Sequence, residues 1–224
     1  MTRPIHPLST RCGFTLADTG YTPRSVLHVG ASTGKELDYY NTLGLERVVW
    51  IEALPRIAEI LEGRIRRYTP ADCATDHRVI NRLIADENGK VFEFKITSNS
   101  AMSSSIFELE KHKEVWPSIE VVERVEMRGA RLETILEDEG LGADTFDLLV
   151  VDVQGAELMV LDGIGPYLDS VRVLMIEVST EPYYAGGVLF DELDPWLKAR
   201  GFELYPNQRL PAHGDQFYGR HVGG

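Results

Sequence analysis

The sequence predicts an α/β fold in one domain, with a mostly parallel sheet covered by helices on both faces. Three observations predict it. Short apolar runs alternate with amphipathic helical stretches along the chain, the pattern of strands joined by helical crossovers. A glycine-containing turn, Gly30 to Gly34, stands where the first apolar run meets the first helical stretch. At 224 residues the chain is long enough for one sizeable core, and a second full domain is not expected. Residues 1–24 read as an N-terminal extension and 25–224 as the domain.

The elements follow in order. Ser25 to Val29 reads as the first strand and Thr33 to Leu43 as a helix with Leu37, Tyr40 and Leu43 on one side. Val48 to Glu52 is a second strand. Pro55 then opens a helix at a position where its missing N–H does no harm. Ile57, Ile60, Leu61, Ile65 and Tyr68 recur at helical spacing along it. Val79 to Ala85 reads as a third strand, paired through the turn Asp86-Glu87-Asn88-Gly89 with a strand over Val91 to Ile96. Ser98 to Ser105 is polar and loop-like, and Arg131 to Glu139 a helix. Asp147 to Val153 is the most apolar strand, which suits a central position buried on both faces. A helix beginning over Ala156 to Leu161, a strand at Arg172 to Val178 and a helix at Phe190 to Arg200 follow. Glu203 to Tyr205 and Gln216 to Tyr218 close the sheet, the last strand antiparallel.

Composition excludes several classes of function. A net charge of −12 argues against a nucleic-acid partner, because phosphate binding needs concentrated Lys and Arg. Arg64, Arg66 and Arg67 form the tightest basic cluster and read as complements to a helix dipole. Cys12 and Cys73 are far apart, with no CxxC and no paired His, so neither zinc spacing nor a disulfide is implied. No run approaches the roughly 18 apolar residues of a membrane span. Met1 to Phe14 is polar and broken by Pro4 and Pro7, which is unlike a signal peptide. A cytoplasmic protein without a membrane partner is the expectation.

The informative segment is His28-Val29-Gly30-Ala31-Ser32-Thr33-Gly34-Lys35-Glu36, running from strand into helix. Small residues let the backbone turn sharply and approach a ligand. The helix N-terminus behind them favours a carboxylate or phosphate. A P-loop needs four residues between its glycines and Ser or Thr after the Lys; here three separate Gly30 from Gly34, and Glu36 follows Lys35. A dinucleotide fingerprint is a poor match, with Ser32 at its second glycine and no third glycine in register. Glu52 ends the second strand 22 positions after Gly30, near the spacing at which an acid meets an adenosine ribose. A carboxylate accepts hydrogen bonds from both ribose hydroxyls. Loop and acid together point to an adenosine-containing cofactor.

Family resemblance enters at Phe146 to Gly163, FDLLVVDVQGAELMVLDG. It resembles the D-h-h-K-h-D-V-Q-G-x-E-h-x-V-L-x-G signature of FkbM-type methyltransferases, where h is apolar. VLHVGASTGKE resembles that family's glycine loop, VVWIEALP its ribose-binding strand, and IADENGKVFEF with NSAMSSSI its turn and Ser-rich segment. VLMIEV, YYAGGVLFDELDPWLKARGF and GDQFYGR resemble its C-terminal portion, so the ordered matches run from about Ser25 to Arg220. The resemblance implies a Rossmann-like class I methyltransferase domain using S-adenosylmethionine. It implies O-methylation of a small-molecule acceptor, a sugar hydroxyl or another hydroxylated secondary metabolite. By the same resemblance Gly30, Ala31, Ser32 and Gly34 hold the methionine portion, and Glu52, with Ala53 beside it, the ribose. Ile84, Ala85 and Asp86 lie near the adenine, and Asp152, Val153 and Gln154 line the pocket. Ser105 matches a family Ser without a defined role. The chain departs from the pattern at His28, where the glycine-loop motif normally carries an acid that attracts the cofactor's ammonium group; a neutral His can act there by hydrogen bonding, or pack in the core.

Methyl transfer from a sulfonium is an in-line displacement, for which alignment supplies roughly 7–11 kcal/mol and a general base removes the hydroxyl proton. Asp152 and Glu157 are the favoured catalytic acids, with Glu157 facing the acceptor and Asp152 nearer the cofactor. Glu177 and His112 are further candidates, and Trp116, Tyr183 and Tyr184 could wall an acceptor pocket. Carboxylates can also hold magnesium, but no spacing here demands a metal. Two rival readings remain at this point: a nicotinamide-dependent oxidoreductase on the same fold, and a cofactor-binding protein without turnover, suggested by His28.

Overall fold

The computed structural model describes residues 8–11, 13–143 and 145–220. Cys12 therefore lies outside the described residues, and Cys73 is a free thiol. In chain order the strands are β1 (Ser25–Val29), β2 (Arg47–Glu52), β3 (Asp76–Asn81), β4 (Leu83–Ile84), β5 (Val91–Thr97), β6 (Glu108–Leu109), β7 (Val121–Ala130), β8 (Leu148–Val151), β9 (Val173–Ser179), β10 (Tyr184–Ala185), β11 (Phe202–Leu204) and β12 (His213–Arg220). The α-helices are α1 (Leu37–Tyr40), α2 (Pro55–Tyr68), α3 (His112–Val115), α4 (Leu132–Asp138), α5 (Glu157–Gly163) and α6 (Phe190–Lys198).

The main sheet has seven strands in the order β11-β12-β9-β8-β1-β2-β3. Its five neighbours from β9 to β3 run parallel, and β12 is antiparallel to both β9 and β11. β8 is the middle strand and all four of its residues are buried, as its unbroken apolar run requires. Alternate residues of each strand feed opposite layers. Leu27, Val49, Leu149 and Leu174 pack with Ile135 of α4, Val160 of α5 and Leu193 of α6. Val26, Val48, Leu148 and Val173 pack with Tyr40 of α1, Leu61 of α2 and the pre-strand residues Leu8 and Leu16. Strand order reverses between β1 and β8, so the carboxyl ends of these two strands border the crevice where open α/β sheets bind ligands.

Three features differ from the sequence expectation. The helix over 33–43 is confined to Leu37–Tyr40. Gly34 has φ +69 and Ser32 φ +48, left-handed values that a right-handed helix excludes, and Thr42 and Leu43 bond back by tight three-residue turns. The strand over 79–85 divides at Arg82 between two sheets, where the Arg82 amide donates to the Glu52 carbonyl at 3.1 Å. β5 pairs antiparallel with β7, a ten-residue strand absent from the sequence expectation and exposed at five of its residues. β4 adds to β7 in parallel, giving a three-stranded sheet, and β6 and β10 form a two-stranded one. Among the described residues no helix is long and apolar enough to cross a membrane.

Candidate functional site

The glycine loop is built by backbone closeness. A Cβ at Gly30 would stand 1.7 Å from the Asp152 carbonyl oxygen, and Gly30 has φ +81, so β1 and the turn after β8 cross at a distance only glycine permits. At Gly34 a Cβ would meet Leu61 of α2 at 2.4 Å. The amides of Gly30 and Ala31 both donate to the Ile51 carbonyl, at 2.9 and 3.0 Å. Glu52 completes the loop: Oε2 accepts the Ser32 amide and Oε1 the Leu54 amide, each at 2.9 Å. Burial pushes its carboxyl up, against the opposing effect of those amides. Each oxygen keeps a lone pair for a ligand.

The turn after β8 is also backbone-strained. Gln154 has φ +57 and Gly155 φ +99. The Gln154 carbonyl accepts the Ser105 hydroxyl at 2.7 Å. Its side-chain Nε2 donates to Asp152 Oδ1 at 2.5 Å and Glu177 Oε2 at 3.0 Å. Its Oε1 accepts the Tyr184 hydroxyl. Four partners therefore hold Gln154 where non-glycine backbone is rarely found. Glu157, at the first position of α5, is buried, and its Oε1 accepts the amides of Val153 at 3.2 Å and Gly155 at 3.1 Å. Burial pushes this carboxyl up to about 7, which those amides oppose by favouring the ionised form.

Loop, turn and small sheet enclose a cleft whose empty space, counted out into its open mouth, is about 840 Å³. Gly30, Ser32, Glu52, Ala53, Asp152, Val153 and Gln154 line it. Lys35, Arg82, Leu83, Ile84, Phe94 and Met102 also line it. Phe94 reaches the cleft from β5, which pairs with β7, and Met102 from the turn after β5. His28, Ala31, Gly34, Ala85, Asp86, Ser105 and Glu157 do not line it. Ala85 is buried with its amide on the Ala130 carbonyl, and Asp86 is a surface partner of Lys90 at 2.9 Å.

His28 points into the α1–α2 layer. It is 4% exposed, its Nδ1 lies 3.1 Å from the Tyr40 hydroxyl, and its ring stacks on Trp50 at 5.4 Å. Burial pushes it down to about 3, so it is neutral at physiological pH. Beyond Gln154 the fold gathers His112, Trp116, Tyr183 and Tyr184 with His213 of β12 into one aromatic group; Tyr183 and His213 stack at 4.4 Å. Among the described residues no cluster of three or more His, Cys, Asp or Glu could hold a metal ion.

Residues 28–204 match the family described as the methyltransferase FkbM domain. Among solved structures, the chain is similar to a methyltransferase FkbM from Methylobacillus flagellatus KT, with 16% identity and TM-score 0.55, covering 88% of this chain and 43% of that one. It is also similar to magnesium protoporphyrin IX methyltransferase from Synechocystis PCC 6803, solved with bound SAM, at 10% identity and TM-score 0.51, covering 92% and 74% respectively. The same Synechocystis enzyme was solved with bound SAH. These structures share the fold with this chain, which spans less than half the length of the first of them. No curated protein sequence matches the chain.

Proposed function

The chain belongs to the FkbM methyltransferase family, and from that premise we propose that it is an S-adenosylmethionine-dependent O-methyltransferase acting on a hydroxyl of a sugar or other small metabolite, in the cytoplasm. The observation that carries the reading is the convergence of Gly30, Glu52, Asp152 and Gln154 on one cleft at the strand-order reversal. The donor set fits this cofactor: small glycine-loop residues for the amino-acid end, Glu52 for the ribose, and the apolar Leu83, Ile84 and Phe94 for a flat base. When bound, S-adenosylmethionine supplies a methyl group activated by its sulfonium.

The chain's own residues do the rest. Gly30 allows β1 and the Asp152 turn to close on the ligand. Glu52 fixes loop and ribose together. Asp152 has its Oδ1 engaged by Gln154, and its Oδ2 is the proposed acceptor of the hydroxyl proton. Burial raises the Asp152 carboxyl, while the Gln154 hydrogen bond and Lys35 oppose that rise. Such a balance suits a base that must take a proton near neutral pH. Glu157 acts on the reaction by holding the Val153–Gly155 turn. The neutral His28 supplies no charge to the cofactor, so the ammonium end depends on other groups.

The test is methyl transfer from labelled S-adenosylmethionine to a panel of glycosides and matched amines, with NAD as a separate ligand in thermal-shift assays. Label in a methyl ether and stabilisation by S-adenosylmethionine are expected. Label in amines alone contradicts O-methylation, and stabilisation by NAD alone contradicts the cofactor.

A further inference from the structure

We propose that Lys35 binds the carboxylate of the cofactor's amino-acid end, so that this chain recognises that end by its negative charge. This rests on the cofactor reading above and deepens it by naming a side chain for the methionine portion.

Lys35 follows Gly34 in the glycine loop and lines the cleft together with Gly30, Ser32 and Asp152. The backbone that carries it is fixed. The Gly34 amide donates to the Ala31 carbonyl at 2.9 Å, and Glu52 holds the Ser32 amide at 2.9 Å. The charge of Lys35 reaches Asp152, where it opposes the rise that burial imposes on that carboxyl.

Lys90, Lys95, Lys111 and Lys198 each meet a carboxylate of the described residues. Among those residues Lys35 has no ion-pair partner; Asp152 and Glu36 feel its charge at longer range. The acids nearby have other partners. Asp152 Oδ1 accepts Gln154 Nε2 at 2.5 Å, and Glu52 accepts the Ser32 and Leu54 amides. Glu177 does not line the cleft and faces His213 at 3.2 Å. Lys35 thus brings an exposed positive charge to the cleft beside the loop.

Arg82 is a second cation of the cleft, and it belongs to a different wall. It directly precedes Leu83 and Ile84 of the base-binding wall, and its Nη1 donates to the Asn81 carbonyl at 3.0 Å. It also borders the open groove between α2 and β7. Ser104, a further polar lining group, accepts the Thr97 amide at 3.0 Å. Of the two cations, Lys35 is therefore the one on the loop assigned to the amino-acid end.

That end carries an ammonium and a carboxylate. His28, standing where an acid would attract the ammonium, is buried and neutral and does not line the cleft. A cation on the loop repels an ammonium and attracts a carboxylate. Lysine suits the task, with three donors and a compact charge on a flexible stem. A hydrogen bond from it to a carboxylate is roughly twice as strong as a neutral one.

Calorimetric titration of the wild type, Lys35→Gln and Lys35→Arg tests this. The ligands are S-adenosylhomocysteine, which has the full amino-acid end and no methyl group to transfer, and its decarboxylated and deaminated analogues. Lys35→Gln is expected to weaken S-adenosylhomocysteine and the deaminated analogue about tenfold, the effect of one hydrogen bond to a charged group. The decarboxylated analogue is expected to change little, and Lys35→Arg to restore most of the loss. Because Lys35 is exposed, wild-type affinity for the two carboxylate ligands is expected to fall between about 50 and about 500 mM salt, and that for the decarboxylated analogue to hold. Equal loss of all three ligands in Lys35→Gln marks a structural role and overturns the proposal. Unchanged affinity for S-adenosylhomocysteine also overturns it, and leaves Lys35 to a carboxylate of the acceptor. Failure of folded wild type to bind any of the three overturns the cofactor reading itself. If Lys35→Gln does not fold, the wild-type salt response and its preference for carboxylate-bearing ligands decide.

Discussion

Gly30 and Glu157 carry the sharpest residue-scale consequences. Gly30→Ala places a Cβ against the Asp152 carbonyl at a left-handed φ, so β1 and the β8 turn must separate. A loss of about 1–3 kcal/mol of stability and of cofactor binding is expected, read by chemical denaturation and calorimetry. Glu157 titrates near pH 7 in the folded chain, above its ordinary value of 4.5. A raised folded value means its stabilising contribution is present in acid and lost as pH rises through about 7. Glu157→Gln keeps an oxygen for the Val153 and Gly155 amides and removes that ionisation. Relative to wild type it is expected to gain of order 1–3 kcal/mol between pH about 5 and about 8; denaturation midpoints at the two pH values check it. At this scale the glycine loop and Glu52 were legible because their spacing is local. The placement of Glu157 beneath its own turn and the Glu177–His213 contact were not, since they depend on φ values and strand pairings that the sequence leaves open.

The elements show a similar division. β1, β2, β8 and β9 were legible because strands buried on both faces read as unbroken apolar runs. β7 went unread although Val125 and Met127 alternate with exposed Glu126 and Arg128 as in a half-buried strand; its partners β5 and β4 are fixed by pairing that the sequence leaves open. Yet this small sheet furnishes Phe94, Leu83 and Ile84 to the cleft. Gly129 is its pivot: a Cβ there would meet Ala85 at 2.4 Å and Phe92 at 3.2 Å. Gly129→Val is expected to cost about 1–3 kcal/mol and to weaken cofactor binding by pushing β4 from β7. Loss of stability with unchanged affinity would separate this sheet from the base-binding wall.

For the whole molecule, the parallel sheet and the reversal between β1 and β8 bring Gly30, Glu52, Asp152 and Gln154 to one cleft. From the net charge of −12 we predict no salt-dependent association with DNA or RNA in filter binding; salt-dependent retention would contradict the small-molecule reading. The central claim is that the cleft holds an adenosine-bearing methyl donor with its ribose on Glu52. Calorimetric titration of wild type and Glu52→Ala with S-adenosylmethionine tests it most directly. The account predicts one site per chain in the wild type and an affinity lower by about 2–3 kcal/mol in folded Glu52→Ala. Absence of wild-type binding, or unchanged affinity in the variant, would contradict it.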